Sequence, residues 1–250
     1  MKLTAFLACA AASLALTACN KSAHQGSAPA ADDSVKITQA NPPPGGNWSD
    51  VVNETAAGFM MGNPNAKVKL VEIGALTCPH CRAFDEEGVP TLIDKYVKTG
   101  QVSWEFRPYL LHGLDLPTNL IARCNGAKSF FPLARALYHD QPDWIAKVQA
   151  VPQDKVEQVQ NLPINQQFVE LASLAGLQDW AAARGVPQDK ASQCLRDENE
   201  VNKLVQLSSD VPNQFPDFPG TPTFVINGKM LKETASWEKL KPQLDEALKS

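Results

Sequence analysis

The chain has 250 residues, with 23 lysines and arginines against 27 aspartates and glutamates, a formal charge of −4. That balance leaves no basic surplus to neutralise a phosphate backbone, so nucleic acid is excluded as the partner. The 14 residues from Leu3 to Leu16 carry no charge, a length that fits the core of a secretory signal and falls short of the ~20 apolar residues of a membrane-crossing helix.

That run ends in Leu16-Thr17-Ala18-Cys19. The order leucine, small, small, cysteine resembles the lipobox of bacterial lipoproteins, which implies a signal peptide over 1–18 and a lipid on Cys19 as the first mature residue. Two or more acyl chains make such an anchor stable. Loss of residues 1–18 removes one lysine, leaving 22 basic against 27 acidic residues, a charge of −5. It also removes Cys9, so apart from Cys19 four cysteines remain: Cys78, Cys81, Cys124 and Cys194. An even number of thiols in an exported chain points to disulfide chemistry. Residues 19–47 are rich in Ala, Ser, Pro and polar side chains, cannot bury a core, and read as a flexible tether.

Val68 to Gly74 is a mostly apolar, β-rich run, expected as a central strand covered on both faces. Cys78-Pro79-His80-Cys81 follows directly. Phe84, Leu92 and Tyr96 then mark one side of a helix, with Asp85, Glu86 and Glu87 expected near its start and a kink at Pro90. Gly100 closes it, and Gln101–Phe106 alternates as a second strand. From about Gly113 to Val211 strand signals vanish and helices are expected, with Ile121, Cys124, Leu133, Leu137, Phe168, Leu171, Leu174 and Ala175 in their core. Pro212–Pro219 reads as a stiff loop. Thr223–Leu231 reads as a hairpin around Asn227-Gly228, and Trp237–Leu248 as a last amphipathic helix.

CPHC at the start of the first helix, the helical stretch, and Gly220-Thr221-Pro222-Thr223 leading into the hairpin resemble the DsbA family of bacterial disulfide oxidoreductases. The resemblance spans roughly Gly62 to the C-terminus and implies an α/β, thioredoxin-like fold with an α-helical insertion. The expected parts are 48–112 and 212–250 for the thioredoxin-like domain and 113–211 for the insertion.

A cysteine at the junction of strand and helix faces unsatisfied backbone N–H groups and the positive end of the helix dipole, so Cys78 is expected as a stabilised thiolate. Pro79 suits the first helical position, His80 is expected to add a charge or a donor beside the sulfur, and Cys81 to resolve mixed disulfides. A c-type haem needs histidine after the second cysteine, where Arg82 stands, and zinc needs a second close cysteine pair. No metal and no cofactor are expected. The resemblance implies that Pro222 is a cis-proline beside the cysteines, that the Thr221 backbone pairs with extended substrate, and that Glu72 moves the proton of Cys81. It identifies no basic partner for Glu72, and Arg107 is only near the corresponding strand.

Cys124 and Cys194 either bridge or stay buried as thiols. A second bridge in some members of the resembled family favours the bridge. The implied function is a monomeric, lipid-anchored periplasmic thiol oxidase that passes the Cys78–Cys81 disulfide to reduced or unfolded exported proteins and is re-oxidised by a membrane partner of the DsbB type. The rivals are a reductase or isomerase kept reduced by a membrane electron donor, and a peptide-binding, chaperone-like module without redox turnover.

Overall fold

The computed structural model describes residues 40–44 and 46–250, so the expected signal segment, Cys19 and most of the expected tether lie outside the described residues. Two strands precede the first one expected from sequence. β1 (Val52–Glu54) and β2 (Phe59–Gly62) form an antiparallel hairpin, and β2 continues onto the strand Val102–Pro108. Gly58 admits this pairing, because a Cβ there would lie 1.9 Å from the Phe106 carbonyl oxygen.

β3 (Val68–Gly74) is buried at every residue except Lys69. Since side chains alternate along a strand, Val68, Leu70 and Glu72 share the face of the main core, while Val71 and Ile73 face a smaller cluster with Val211 and Val225. β4 (Val102–Pro108) runs parallel to β3 and sends Val102, Trp104 and Phe106 into the main core. β5 (Thr223–Ile226) lies antiparallel on the other side of β3, and β6 (Lys229–Met230) completes the order β1-β2-β4-β3-β5-β6. Between β5 and β6, Asn227 and Gly228 take φ of 49° and 83°, the left-handed pair that a two-residue hairpin turn requires.

α1 (Pro79–Glu87) leaves the end of β3 and is followed by α2 (Val89–Thr91), a π turn over Leu92–Tyr96 and a 3-10 turn over Val97–Thr99. The break falls at Gly88 rather than at Pro90 alone. A Cβ at Gly88 would lie 2.9 Å from that of Trp237, so glycine lets α11 (Trp237–Lys249) pack against the helix. Asp85, Glu86 and Glu87 occupy the last turn of α1, not its start, and therefore do not offset the dipole; Asp85 is buried. Phe84, fully buried, meets Phe224 edge-on at 4.7 Å and joins α1 to the sheet.

Between β4 and β5 lie α3 (Asp115–Arg123), α4 (Ala127–His139), α5 (Gln141–Gln149), α6 (Gln153–Gln160), α7 (Ile164–Leu174), α8 (Leu177–Ala182), α9 (Gln188–Leu195) and α10 (Glu198–Gln214). This is the thioredoxin-like α/β layout with inserted helices. Cys124, at the end of α3, is bonded to Cys194 on α9, closing a separation of 70 residues. One expectation is corrected here: α10 runs through Pro212 to Gln214, because buried Val211 holds the helix on the small cluster and the Phe215 N–H continues the ladder to the Val211 carbonyl. The loop therefore begins at Phe215. Phe215 and Phe218 are half-buried against that same cluster, and Phe218 lies 4.9 Å from Tyr109.

Candidate active site

Cys78 caps α1 with an extended backbone (φ −78°, ψ 121°), and Pro79 takes the first helical position, where a missing N–H leaves nothing unpaired. Its pKa falls from the ordinary thiol value to about 5. The neighbouring Cys81 thiol, which donates to the sulfur, is the largest cause; burial opposes it, and the Thr221 hydroxyl and the backbone N–H groups of Cys81 and His80 add to it. The contribution of His80 here is that of its backbone N–H; its side chain is exposed.

Cys81, one turn into the helix, is shifted the other way. Burial first, then contact with Cys78 and the charge of Glu72, push its pKa well above that of a free thiol. The two sulfurs of one motif are therefore electrostatically unlike.

The Thr221–Pro222 peptide is cis and Pro222 is buried. Cys78 Sγ lies 3.2 Å from the Thr221 carbonyl oxygen, and the Thr221 hydroxyl, buried and otherwise unpartnered, has its proton free for a Cys78 thiolate. Strand β5 and helix α1 meet at this point, so residues 143 positions apart share one site.

Glu72 is 1% exposed on the core face of β3. Burial first, then the charge of Asp85, hold its pKa well above the carboxylate range, while the hydrogen bond from Trp104 pulls it back. Arg107 is not its partner: alternation along β4 puts Arg107 on the opposite face of the sheet, where it pairs with Glu105 at 2.8 Å. Asp85, one turn beyond Cys81 on α1, is the second buried acid. Burial lifts it to about 6 in spite of Arg135, whose Nε stands 3.2 Å from Oδ1. A helical wheel drawn from Cys81 would have found it. Trp104, Asp115, Tyr138 and Gln141 also reach this region, and no local signal marked them.

Two of the expected site residues lie elsewhere, Cys124 and Cys194 forming the bridge within the inserted helices; Cys19 is outside the described residues.

The thioredoxin family model matches residues 54–246. A relative from Rickettsia bellii that carries a protein-disulfide oxidoreductase name is 27% identical over 190 residues, covering 76% of this chain and 64% of that protein. The chain spans between 53% and 64% of the length of the rickettsial relatives it matches. Among solved structures, a protein-disulfide isomerase from Novosphingobium aromaticivorans is 31% identical with a TM-score of 0.72, covering 76% of this chain and 97% of that one. Wolbachia pipientis alpha-DsbA1 shares the fold at a TM-score of 0.61 and 20% identity, over 83% and 94% of the two chains. With CPHC opening α1 beneath a cis-proline and the helices inserted between β4 and β5, the chain belongs to the thioredoxin family.

Proposed function

We propose that the chain is a periplasmic thiol:disulfide oxidoreductase that transfers the Cys78–Cys81 disulfide to reduced exported proteins. The carrying observation is the opposed pair of thiols, Cys78 lowered to about 5 and Cys81 raised. A stabilised thiolate favours the reduced form, so the corresponding disulfide is a strong oxidant.

A substrate thiolate attacks Cys78 Sγ of the enzyme disulfide, and the S–S bond breaks. Cys81 leaves with the electron pair and takes up a proton, for which Glu72 is the nearby acid. A second substrate thiolate attacks the substrate sulfur of the mixed disulfide, and Cys78 departs as its stabilised thiolate. Two electrons pass from substrate to enzyme, and a membrane oxidant of the DsbB type returns the pair to the disulfide. The Thr221 backbone pairs with the extended substrate. The lipid on Cys19 keeps the enzyme at a membrane surface; no helix among the described residues is long and apolar enough to cross one.

The same motif serves a reductase or isomerase at a lower potential, and the Novosphingobium aromaticivorans protein carries an isomerase name. The depressed Cys78 favours the oxidant. Incubating oxidised enzyme with a reduced, unfolded disulfide protein tests this: one disulfide is expected to pass per enzyme, Cys78→Ser to pass none, and Cys81→Ser, first loaded at Cys78 with glutathione from oxidised glutathione, to exchange glutathione for substrate and hold the mixed disulfide. Turnover only when a reductant is supplied would replace the oxidase reading with the reductase one. Unmodified Cys19 in the mass spectrum of the mature protein would remove the anchor.

A further inference from the structure

The segment between β3 and Cys78 is held by side chains of the inserted helices. The Leu76–Thr77 peptide, one residue ahead of the reacting cysteine, is gripped at both ends: Gln141 Nε2 donates to the Leu76 carbonyl at 2.8 Å, and the Thr77 N–H donates to Asp115 Oδ1 at 2.8 Å. Gln141 also donates to the Cys78 carbonyl at 3.2 Å, and the Tyr138 hydroxyl to the Ala75 carbonyl at 3.2 Å. On its other oxygen, Asp115 accepts from the Thr77 hydroxyl at 2.7 Å and from the Leu111 and His112 N–H groups at 2.9 and 2.8 Å. Asp115 is 0% and Gln141 3% exposed.

We propose that Asp115 and Gln141 are positioning residues for Cys78, fixing the Leu76–Thr77 peptide so that the sulfur stays aligned with the N-terminal N–H groups of α1. The inference rests on the reading of Cys78 as the reacting cysteine. Hydrogen bonds weaken steeply with angle, so a small rotation before Cys78 takes its sulfur off the His80 and Cys81 N–H groups. Asp115 supplies acceptors on both oxygens without adding a donor, which suits a site where four N–H and O–H groups converge. It brings a negative charge near a thiolate; Glu72 on β3 and Asp85 on α1 are the other buried acids of the region, both with raised pKa. The inserted helices thereby set the chemistry of a cysteine that belongs to the other part of the fold.

The test titrates the Cys78 thiolate by its absorbance at 240 nm in the full chain with Cys81 replaced by alanine, and follows the glutathione equilibrium of the intact pair. Gln141→Met removes both donors without changing charge; Asp115→Asn keeps the shape and removes the charge. Each is expected to raise the Cys78 midpoint by about one unit and to shift the glutathione equilibrium about tenfold toward the oxidised enzyme. The charge effect alone has the opposite sign, so a fall in midpoint for Asp115→Asn overturns positioning by that residue. A lowered melting temperature with an unmoved midpoint in Gln141→Met makes these contacts structural only. Should Asp115→Asn fail to fold, Gln141→Met decides. The shift between variant and parent is read whatever the parent midpoint, and failure of the intact oxidised Cys78–Cys81 pair to pass its disulfide to reduced substrate sinks the oxidase reading alone.

Discussion

The Trp104 indole donates to Glu72 Oε2 at 3.1 Å, and Glu72 Oε1 has no partner among the described residues. A buried carboxyl group satisfied on one side only is kept at some cost to the fold. An acid whose folded pKa is raised loses stability as pH climbs above its unfolded value, ~4.5. Glu72→Gln is therefore expected to be more stable than the parent at pH 8, by about 1–3 kcal/mol, with the gap closing at pH 4. Urea midpoints at the two pH values check this. In activity, the variant is expected to lag in the step that frees Cys81.

Reduction is expected to stabilise this protein, which inverts the usual effect of opening a disulfide. Only the reduced form contains the Cys78 thiolate, and a thiol depressed to about 5 contributes stability that is lost as pH falls through that value. Asp85, raised to about 6, acts against stability in both redox forms and largely cancels in their difference. The melting temperature of reduced enzyme should exceed that of oxidised enzyme at pH 7, and the two should converge below about pH 5. Equal melting at pH 7 would mean that the thiolate is not specially held.

The two cysteine pairs should part company in a graded glutathione buffer. Cys78–Cys81 opens onto a stabilised thiolate, whereas opening Cys124–Cys194 gains no such group and releases the constraint on a 70-residue separation. Alkylation mapping is expected to show the catalytic pair reduced well before the other. Cys124→Ser with Cys194→Ser should cost about 4 kcal/mol in the chain-entropy account. Simultaneous reduction of all four would favour the low-potential reductase.

Phe84 packs the redox helix against β5 through Phe224. Phe84→Ala is expected to cost about 3–5 kcal/mol, measured by denaturant melting. Its contact with Phe224 ties α1 to the strand that follows Pro222, so the variant should also show a raised Cys78 midpoint. A destabilised variant with an unchanged midpoint would show that the helix keeps its place without that ring.

What the sequence revealed depended on how local each signal was. CPHC behind an apolar run, Gly220-Thr221-Pro222-Thr223 and the Asn227-Gly228 turn carry their geometry within a few residues, and β3, α1 and the β5–β6 hairpin stand where those signals put them. β1 and β2, of three and four residues, have too little alternation to stand out, and their pairing rests on a close approach at Gly58 that no local rule announces. The acids after Phe84 misled because helix-terminus rules were applied to residues a turn too late. Pro212 misled because a buried neighbour outweighs one missing hydrogen bond. Asp115, Tyr138 and Gln141 were invisible for a different reason: their partners lie 38 to 65 residues away in the chain.

The Ala40 N–H bonds to the Thr99 carbonyl at 2.7 Å, just before β4 begins, and β4 starts at the same end of the sheet as its parallel neighbour β3. Cys78 comes after the other end of β3, roughly 20 Å along the strand direction at ~3.3 Å per residue. A pull on the segment before Ala40 is therefore delivered to one pole of the sheet while the reacting sulfur occupies the other.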